Sequence, residues 1–380
     1  MSNRIKALII GGGIGGLATA IALRNVGVEV AVFERVAQLH EVGAGLSLWA
    51  NAIKALKLLG LAESINKISI PEVQGGIRAW HGEVLTTTST EELQRALGQP
   101  NIVLHRAELH AALLNALKTE PVHFAQLCTG FQQDVDGVTA HFADGAQVRG
   151  DLLIGADGLH SVVRAQLHGK QKPRYAGYTA WRSLVDFAPE QLLPGETWGA
   201  GVRFGQVPMS GQRAYWFAAK NAPEGARSPE GEKAELLRIF RDWHVPITAL
   251  IEASAENTIL RNDIYDRPPL RHWGENRVSL LGDAAHPMTP NLGQGACQAL
   301  EDAVVLARCL RDRKDIPAAL RVYEAQRIPR TNSIVTQSRR VGEIGQWERP
   351  LAIQLRKFLL KQVVARIQTQ QIIRMVGYDF

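Results

Sequence analysis

The chain has 380 residues, 46% of them hydrophobic and 21% charged, with a formal charge of +6; such a composition is ordinary for a globular protein long enough for a large core and more than one unit. Residues 305–380 hold 15 Lys+Arg against 6 Asp+Glu, so the positive excess sits in the tail and the body argues against a nucleic-acid partner. Three cysteines (Cys128, Cys297, Cys309) without a C-x-x-C pair argue against a disulfide framework or a zinc site and for the cytoplasm, and no run reaches the roughly 18 apolar residues of a membrane span.

The apolar run Ala7, Leu8, Ile9, Ile10 predicts a buried parallel strand that drops into Gly11, Gly12, Gly13, Ile14, Gly15 and Gly16. Helical spacing over residues 17–26 makes this a strand-to-helix turn. Gly11 permits the tight turn, Gly13 lets backbone approach a pyrophosphate at the helix N-terminus, and Gly16 lets the helix pack on the strand. A second strand over residues 28–33 ends in Glu34, 18 residues past Gly16, where a carboxylate accepts hydrogen bonds from a ribose diol. These residues specify a dinucleotide and do not distinguish FAD from NAD.

Small residues at 43–51, including Gly43 and Gly45, precede a predicted helix at 52–59; they suit either backbone lying close to a ligand or an ordinary loop. Residues 70–100 read as a short β excursion, and 102–106 as a strand leading into a helix with Leu109, Leu113, Leu114 and Leu117 inward. Arg106 opens that helix against its dipole, which a nearby anion explains as well as an exposed position does. Residues 122–155 read as a strand meander with turns at Asp136-Gly137 and Asp144-Gly145, closing on Asp157-Gly158 ahead of a helix. That is where an α/β sheet presents ligand groups.

From 173 to 257 the texture changes to β-prone runs carrying Tyr175, Tyr178, Trp181, Trp198, Tyr215, Trp216 and Trp243. This predicts an inserted antiparallel sheet whose aromatics either fill a core or wall a pocket. A last strand at 278–281 enters Gly282-Asp283, then His286, expected to be structural, and a rigid turn through Pro287, Pro290 and Gly293 to Gly295. Its backbone N–H groups suit a delocalised anion ahead of an amphipathic helix at 296–310. In the tail, Leu351, Leu355, Phe358, Leu359 and Val363 beside Arg356, Lys357 and Lys361 predict a basic amphipathic helix. Its apolar face is expected to pack on the nucleotide domain rather than to meet a membrane surface.

With Gly11-x-Gly13-x-x-Gly16 and Glu34, Asp157-Gly158, and Gly282-Asp283 in this order, the chain resembles the single-component FAD-dependent aromatic monooxygenases over about residues 5 to 345. The resemblance implies an α/β fold. A Rossmann-like FAD-binding domain (1–72, 101–173, 261–345) takes a small β excursion (73–100) and an inserted antiparallel substrate domain (174–260), and a helical tail (346–380) follows. It implies that Ile14, Gly15 and Arg35 join the fingerprint glycines at the cofactor and that Glu34 holds the adenosine ribose. Arg106 would lie along the FAD chain, Asp157 would serve FAD and the visiting NADH or NADPH, and Asp283 would bind the ribityl chain. Gly293, Gln294 and Gly295 would face the pyrimidine edge of the flavin. The implied chemistry is reduction by NAD(P)H, oxygen addition at C4a and transfer of oxygen from the hydroperoxide to a small-molecule substrate.

Arg203 and Tyr215 match the substrate-contacting pair of FAD-dependent urate hydroxylases, and Pro290 belongs with them on the reacting side. Arg203 stands in a run without an adjacent acid. Asn291 departs from the aspartate of urate hydroxylases and looks closer to zeaxanthin epoxidase-like members, so the substrate is expected to be an aromatic or heteroaromatic compound. The alternative is epoxidation or inactivation of a larger apolar or polyketide-like molecule. A monomer or a homodimer is expected.

Overall fold

Five parallel strands build the sheet that carries the fingerprint, in the order Val278–Leu280, Leu152–Gly155, Lys6–Ile10, Glu29–Phe33, Val122–His123. The computed structural model describes residues 4–38, 44–73, 75–117 and 122–380, so Gly43 and the side chain of Val363 lie outside the described residues. Ala7, Leu8 and Ile9 are fully buried, as both faces of a parallel sheet require. One face is covered by the fingerprint helix Ile14–Asn25, which packs on the helix Gly295–Asp312.

The predicted meander is confined to a separate three-stranded antiparallel sheet, Cys128–Gln133, Val138–Phe142 and Gln147–Gly150. Its flanks, Val122–His123 and Leu152–Gly155, pair in parallel with the main sheet instead. Between residues 90 and 97 the excursion forms a helix, Thr90–Leu97, whose Ser89 hydroxyl accepts from the Glu92 N–H at 3.1 Å. That Ser-x-x-Glu capping pattern was legible in the sequence.

The second large sheet has seven strands, in the order Leu260–Asp266, Arg174–Asp186, Arg213–Asn221, Val202–Met209, Gly195–Trp198, Gly76–Ala79, Val84–Thr87. Two corrections follow. The expected antiparallel sheet contains one parallel pair, Gly195–Trp198 with Gly76–Ala79, because the excursion docks on its edge. The sheet also runs past the expected boundary at 260, since Leu260–Asp266 pairs with Arg174–Asp186.

Register divides this sheet into two faces, because residues directly opposite each other share a side. On the back, Trp181, Phe204 and Trp216 bury against the helices Glu232–Phe240 and Ile247–Ala253. On the front, Tyr178, Arg182, Leu184, Tyr215, Phe217 and Arg203 turn toward the nucleotide-binding unit. The aromatics thus split: Trp181 and Trp216 are core, whereas Tyr178, Trp198 and Tyr215 are on the front.

The tail reverses its expectation. In the helix Pro350–Leu359, Leu351, Leu355 and Phe358 are 85%, 52% and 60% exposed. Arg356 is buried instead, donating to the carbonyls of Gly199 (2.7 Å), Ile344 (3.1 Å) and Gly345 (2.8 Å), with its guanidinium over Trp198. Burial pushes that guanidinium down to about 10, and the positive charge of Arg203 adds to the effect. Leu360 joins Ala79, Leu85 and Trp198, so this part of the tail packs on the substrate sheet. Only its end returns to the nucleotide unit, with Tyr378 beneath Arg330.

Candidate active site

The fingerprint turn has the geometry its glycines suggest. Gly11 has φ +111°, and a Cβ there would stand 2.3 Å from the Ala156 carbonyl oxygen; at Gly16 it would stand 1.9 Å from that of Gly11. In front of Gly13, which caps the helix, nothing lies within 4 Å of such an atom, so backbone there is open to a ligand. Gly15 packs toward Leu281 and Ala299, and Ile14 is buried.

Glu34 accepts from the Gly12 N–H at 2.7 Å and the Val36 N–H at 3.1 Å, which fixes its carboxylate beside the turn. His110, which no motif singles out, bonds the Gly12 carbonyl at 2.6 Å. Arg35 is exposed and has no partner among the described residues.

Asp157 follows the strand Leu152–Gly155, and its Oδ2 accepts from the N–H groups of Val162 (2.7 Å) and Val163 (3.3 Å). Its Oδ1 is buried without a partner, and burial raises the carboxyl above its ordinary pKa. Gly158 has φ +77° with open space about it. Arg164 is buried in the next helix and donates to the carbonyls of Ala284 (3.0 Å) and Ala285 (2.8 Å), tying the Asp157-Gly158 and Gly282-Asp283 turns together.

Asp283 is exposed, yet enough protein surrounds it for burial to raise its carboxyl against the opposing pull of His286 and Arg106. Arg106 is exposed at the start of the helix Arg106–Ala116 and has no carboxylate in ion-pair contact among the described residues.

The turn Pro290–Leu292 leads through Gly293 (φ +61°) to Gln294 at the cap of the helix Gly295–Asp312. Pro290 is exposed, whereas Gln294 is buried and accepts from Asn51 at 3.0 Å. Trp49 Nε1 and Gln294 Nε2 are buried without partners beside this turn. Trp49 and Asn51 come from the small-residue stretch whose approach to a ligand the sequence left open.

Behind the turn lies an ionic network. Asp302 accepts from Gly282 N–H (3.0 Å), His286 (2.6 Å) and Arg327 (2.6 Å); Arg327 also binds Glu301, which Arg330 reaches at 2.7 Å. Burial alone would raise Asp302, but His286 and Arg327 outweigh it and hold the carboxyl at about 2. His286 is thus a structural member of the Gly282-Asp283 turn.

On the front of the substrate sheet, Tyr215 packs so tightly on Gly45 that a Cβ there would lie 2.5 Å from its ring. The expectation that Arg203 lacks an acidic neighbour is corrected. Register sets Trp198 opposite Arg203, and the same strand brings Glu196 to 3.5 Å. Arg203 is 3% exposed and donates to Gln346 (2.9 Å) and Asn291 (2.8 Å). Asn291 in turn donates to Thr289 (2.8 Å) and to the Ser338 carbonyl (2.9 Å). An aspartate at 291 would oppose an anionic oxygen to that carbonyl, which is why the amide suits the position.

The unpartnered Asp157 Oδ1, Trp49 Nε1 and Gln294 Nε2, with the open helix start at Gly13, fit a large nucleotide cofactor bearing hydroxyl and carbonyl groups. Together, fold and site define a nucleotide-dependent oxidoreductase whose substrate sheet faces its cofactor turns. Residues 4–338 match the FAD binding domain family (FAD_binding_3), and the chain belongs to it. It is 44% identical to the aurachin C monooxygenase/isomerase of Stigmatella aurantiaca over 96% of this chain and 95% of that one. It is 39% identical to a FAD-dependent urate hydroxylase of Klebsiella pneumoniae over 90% of each. The structure of Klebsiella pneumoniae HpxO with FAD and uric acid superimposes with a TM-score of 0.93 at 35% identity, covering 99% of this chain and 98% of that one. The chain is an FAD-dependent monooxygenase. Among the described residues no helix is long and apolar enough to cross a membrane, and no His, Cys, Asp and Glu side chains gather to hold a metal ion.

Proposed function

We propose that the enzyme consumes NADH or NADPH and molecular oxygen to hydroxylate a small aromatic or heteroaromatic substrate held between the substrate sheet and the turn at Pro290 to Gly295. Bound FAD supplies the redox and oxygen chemistry; the chain supplies position, charge and exclusion of water. The fingerprint glycines and the helix start receive the pyrophosphate, with Arg35 and Arg106 as nearby positive charges. Glu34 takes the adenosine ribose, Asp157 offers its unpartnered Oδ1 to a cofactor hydroxyl, and Asp283 binds the ribityl chain. N–H groups of Gly293, Gln294 and Gly295, at the positive end of the Gly295–Asp312 helix, stabilise negative charge on the flavin's pyrimidine edge.

The observation that carries the reading is the front face of the sheet. Tyr215 meets Gly45 and Arg203 meets Asn291, so the sheet closes on the nucleotide-binding unit at two places, with Phe217 between them and Leu184 and Val207 beside Tyr215. Arg203 acts here as a positioning residue that holds Asn291 and the turn, and Pro290 stiffens it. The apolar side chains Leu184, Val207 and Phe217 on this face favour a second reading, a larger apolar substrate. A ligand screen of the purified holoenzyme, scored by stimulated NAD(P)H consumption with matched product formation, tests both. Stimulation by no ligand, whether small and aromatic or extended and apolar, overturns them together.

A further inference from the structure

On the front face of the substrate sheet one guanidinium, Arg203, stands at a closed end and another, Arg182, stands between the two, and their surroundings differ. Arg203 is 3% exposed, donates to Gln346 and Asn291, and has the Glu196 carboxylate at 3.5 Å. Its charge is compensated and its fork is largely occupied. Arg182 lies opposite Phe217 on one neighbouring strand and Leu260 on the other. It is half-buried, and among the described residues it has neither a hydrogen-bond nor an ion-pair partner.

The face of Arg182 follows from alternation. Its neighbours Trp181 and Ser183 point to the back, where Trp181 is core and Ser183 bonds Thr258 at 3.0 Å. Its own side chain therefore shares the front with Leu184, Phe217 and Tyr215. It is close enough to Tyr215 for its charge to oppose the larger upward push of burial on the tyrosine hydroxyl. That hydroxyl also has no hydrogen-bond partner among the described residues. A guanidinium and a phenol on one apolar wall, both without protein partners, offer donors to a ligand oxygen, and a partly desolvated guanidinium binds an oxyanion in two parallel hydrogen bonds.

Resting on the monooxygenase reading above, we infer that Arg182, rather than Arg203, is the substrate-binding arginine, and that it selects aromatic substrates carrying an anionic oxygen such as a carboxylate, phenolate or enolate. Tyr215 is its partner on the same oxygen or its neighbour. Arg203 is held in the protein's own network.

The matched probes are salicylate and its neutral amide, salicylamide, titrated into FAD-loaded wild-type enzyme, Arg182→Gln, Arg182→Lys and Arg203→Gln, with binding read from the flavin absorption spectrum. Wild type is expected to bind salicylate at least tenfold more tightly than salicylamide. Arg182→Gln should abolish that preference by weakening salicylate alone, Arg182→Lys should restore part of it, and Arg203→Gln should keep it. Overturning results are a wild type without the preference, its retention in Arg182→Gln, or its loss only in Arg203→Gln. Reduction of the flavin by NADH and NADPH is followed separately. If neither nucleotide reduces it, the monooxygenase reading falls, while the salicylate comparison still decides Arg182. A raised KM for NADH or NADPH in Arg182→Gln with salicylate binding unchanged assigns the guanidinium to the nucleotide's phosphates and overturns the inference.

Discussion

Replacing Arg327 with Met removes a charge from a fully enclosed cluster while keeping much of the side chain's length. Arg327 is fully buried and contacts Asp302 through Nε, Glu301 through Nη1 and the Gln298 side chain at 2.7 Å. Burial alone would lower its pKa, but the charges of Asp302 and Glu301 outweigh that and raise it. Breaking a buried ion pair from one side costs about 3–5 kcal/mol, because the partner is left charged in a poor solvent. The lower end applies here: Glu301 keeps Arg330 and Asn51, and Asp302 keeps His286 and the Gly282 N–H.

For a chain of 380 residues, unfolding entropy of about 2.1 cal/mol/K per residue gives about 0.8 kcal/mol/K, so 3 kcal/mol lowers Tm by about 4 °C. Calorimetry on FAD-loaded wild type and Arg327→Met at equal concentration measures it. FAD should also be held more weakly, because Asp302 anchors the Gly282 N–H beside Asp283. A fall of less than about 1 °C, or a rise, refutes the argument, since it would mean that desolvation of the guanidinium cancels its two carboxylates.

Asp283→Ala should weaken FAD by about 1.5–3 kcal/mol, roughly 10- to 150-fold, read by flavin fluorescence titration; unchanged affinity removes Asp283 from the cofactor site. Gly16→Ala should leave the protein unable to retain FAD, because the new Cβ meets the Gly11 carbonyl oxygen at 1.9 Å; a yellow, fully loaded variant contradicts the turn geometry. With its carboxyl held at about 2 in the fold and near 3.9 when unfolded, Asp302 contributes about 2–3 kcal/mol of stability. This is fully present above about pH 4 and is lost as pH falls through 2, so Asp302→Asn should flatten the acid limb of a stability–pH curve there. In the tail, serine at Leu351, Leu355 and Phe358 should each change stability by less than about 0.5 kcal/mol, as these side chains face solvent. Arg356→Met should cost about 1–3 kcal/mol by stranding the carbonyls it serves; the opposite ranking in urea titrations means that the helix is turned the other way.

The geometry of the fingerprint turn was legible because its demands are local. A positive φ at Gly11 and the approaches of Gly11 and Gly16 admit only glycine, and a carboxylate at a strand's end is visible as Glu34, Asp157 or Asp283 without knowing what surrounds it. Even the capping pair Ser89 and Glu92 is a local signal. What tertiary structure decided is which polar groups are already engaged. Arg203 stands free in the sequence, yet Glu196, Asn291 and Gln346 converge on it from a neighbouring strand, the Pro290–Leu292 turn and the end of a long helix. Arg182 carries no motif, and only the register of three strands places it beside Phe217 and Tyr215 without a partner. In the tail, periodicity defined an apolar and a basic face but not which is covered. The carbonyls of Gly199, Ile344 and Gly345 settle it by capturing Arg356. Backbone conformation is written residue by residue, whereas the pairing of a charge depends on groups as far as 325 positions away in the chain, whose arrival is a property of the fold.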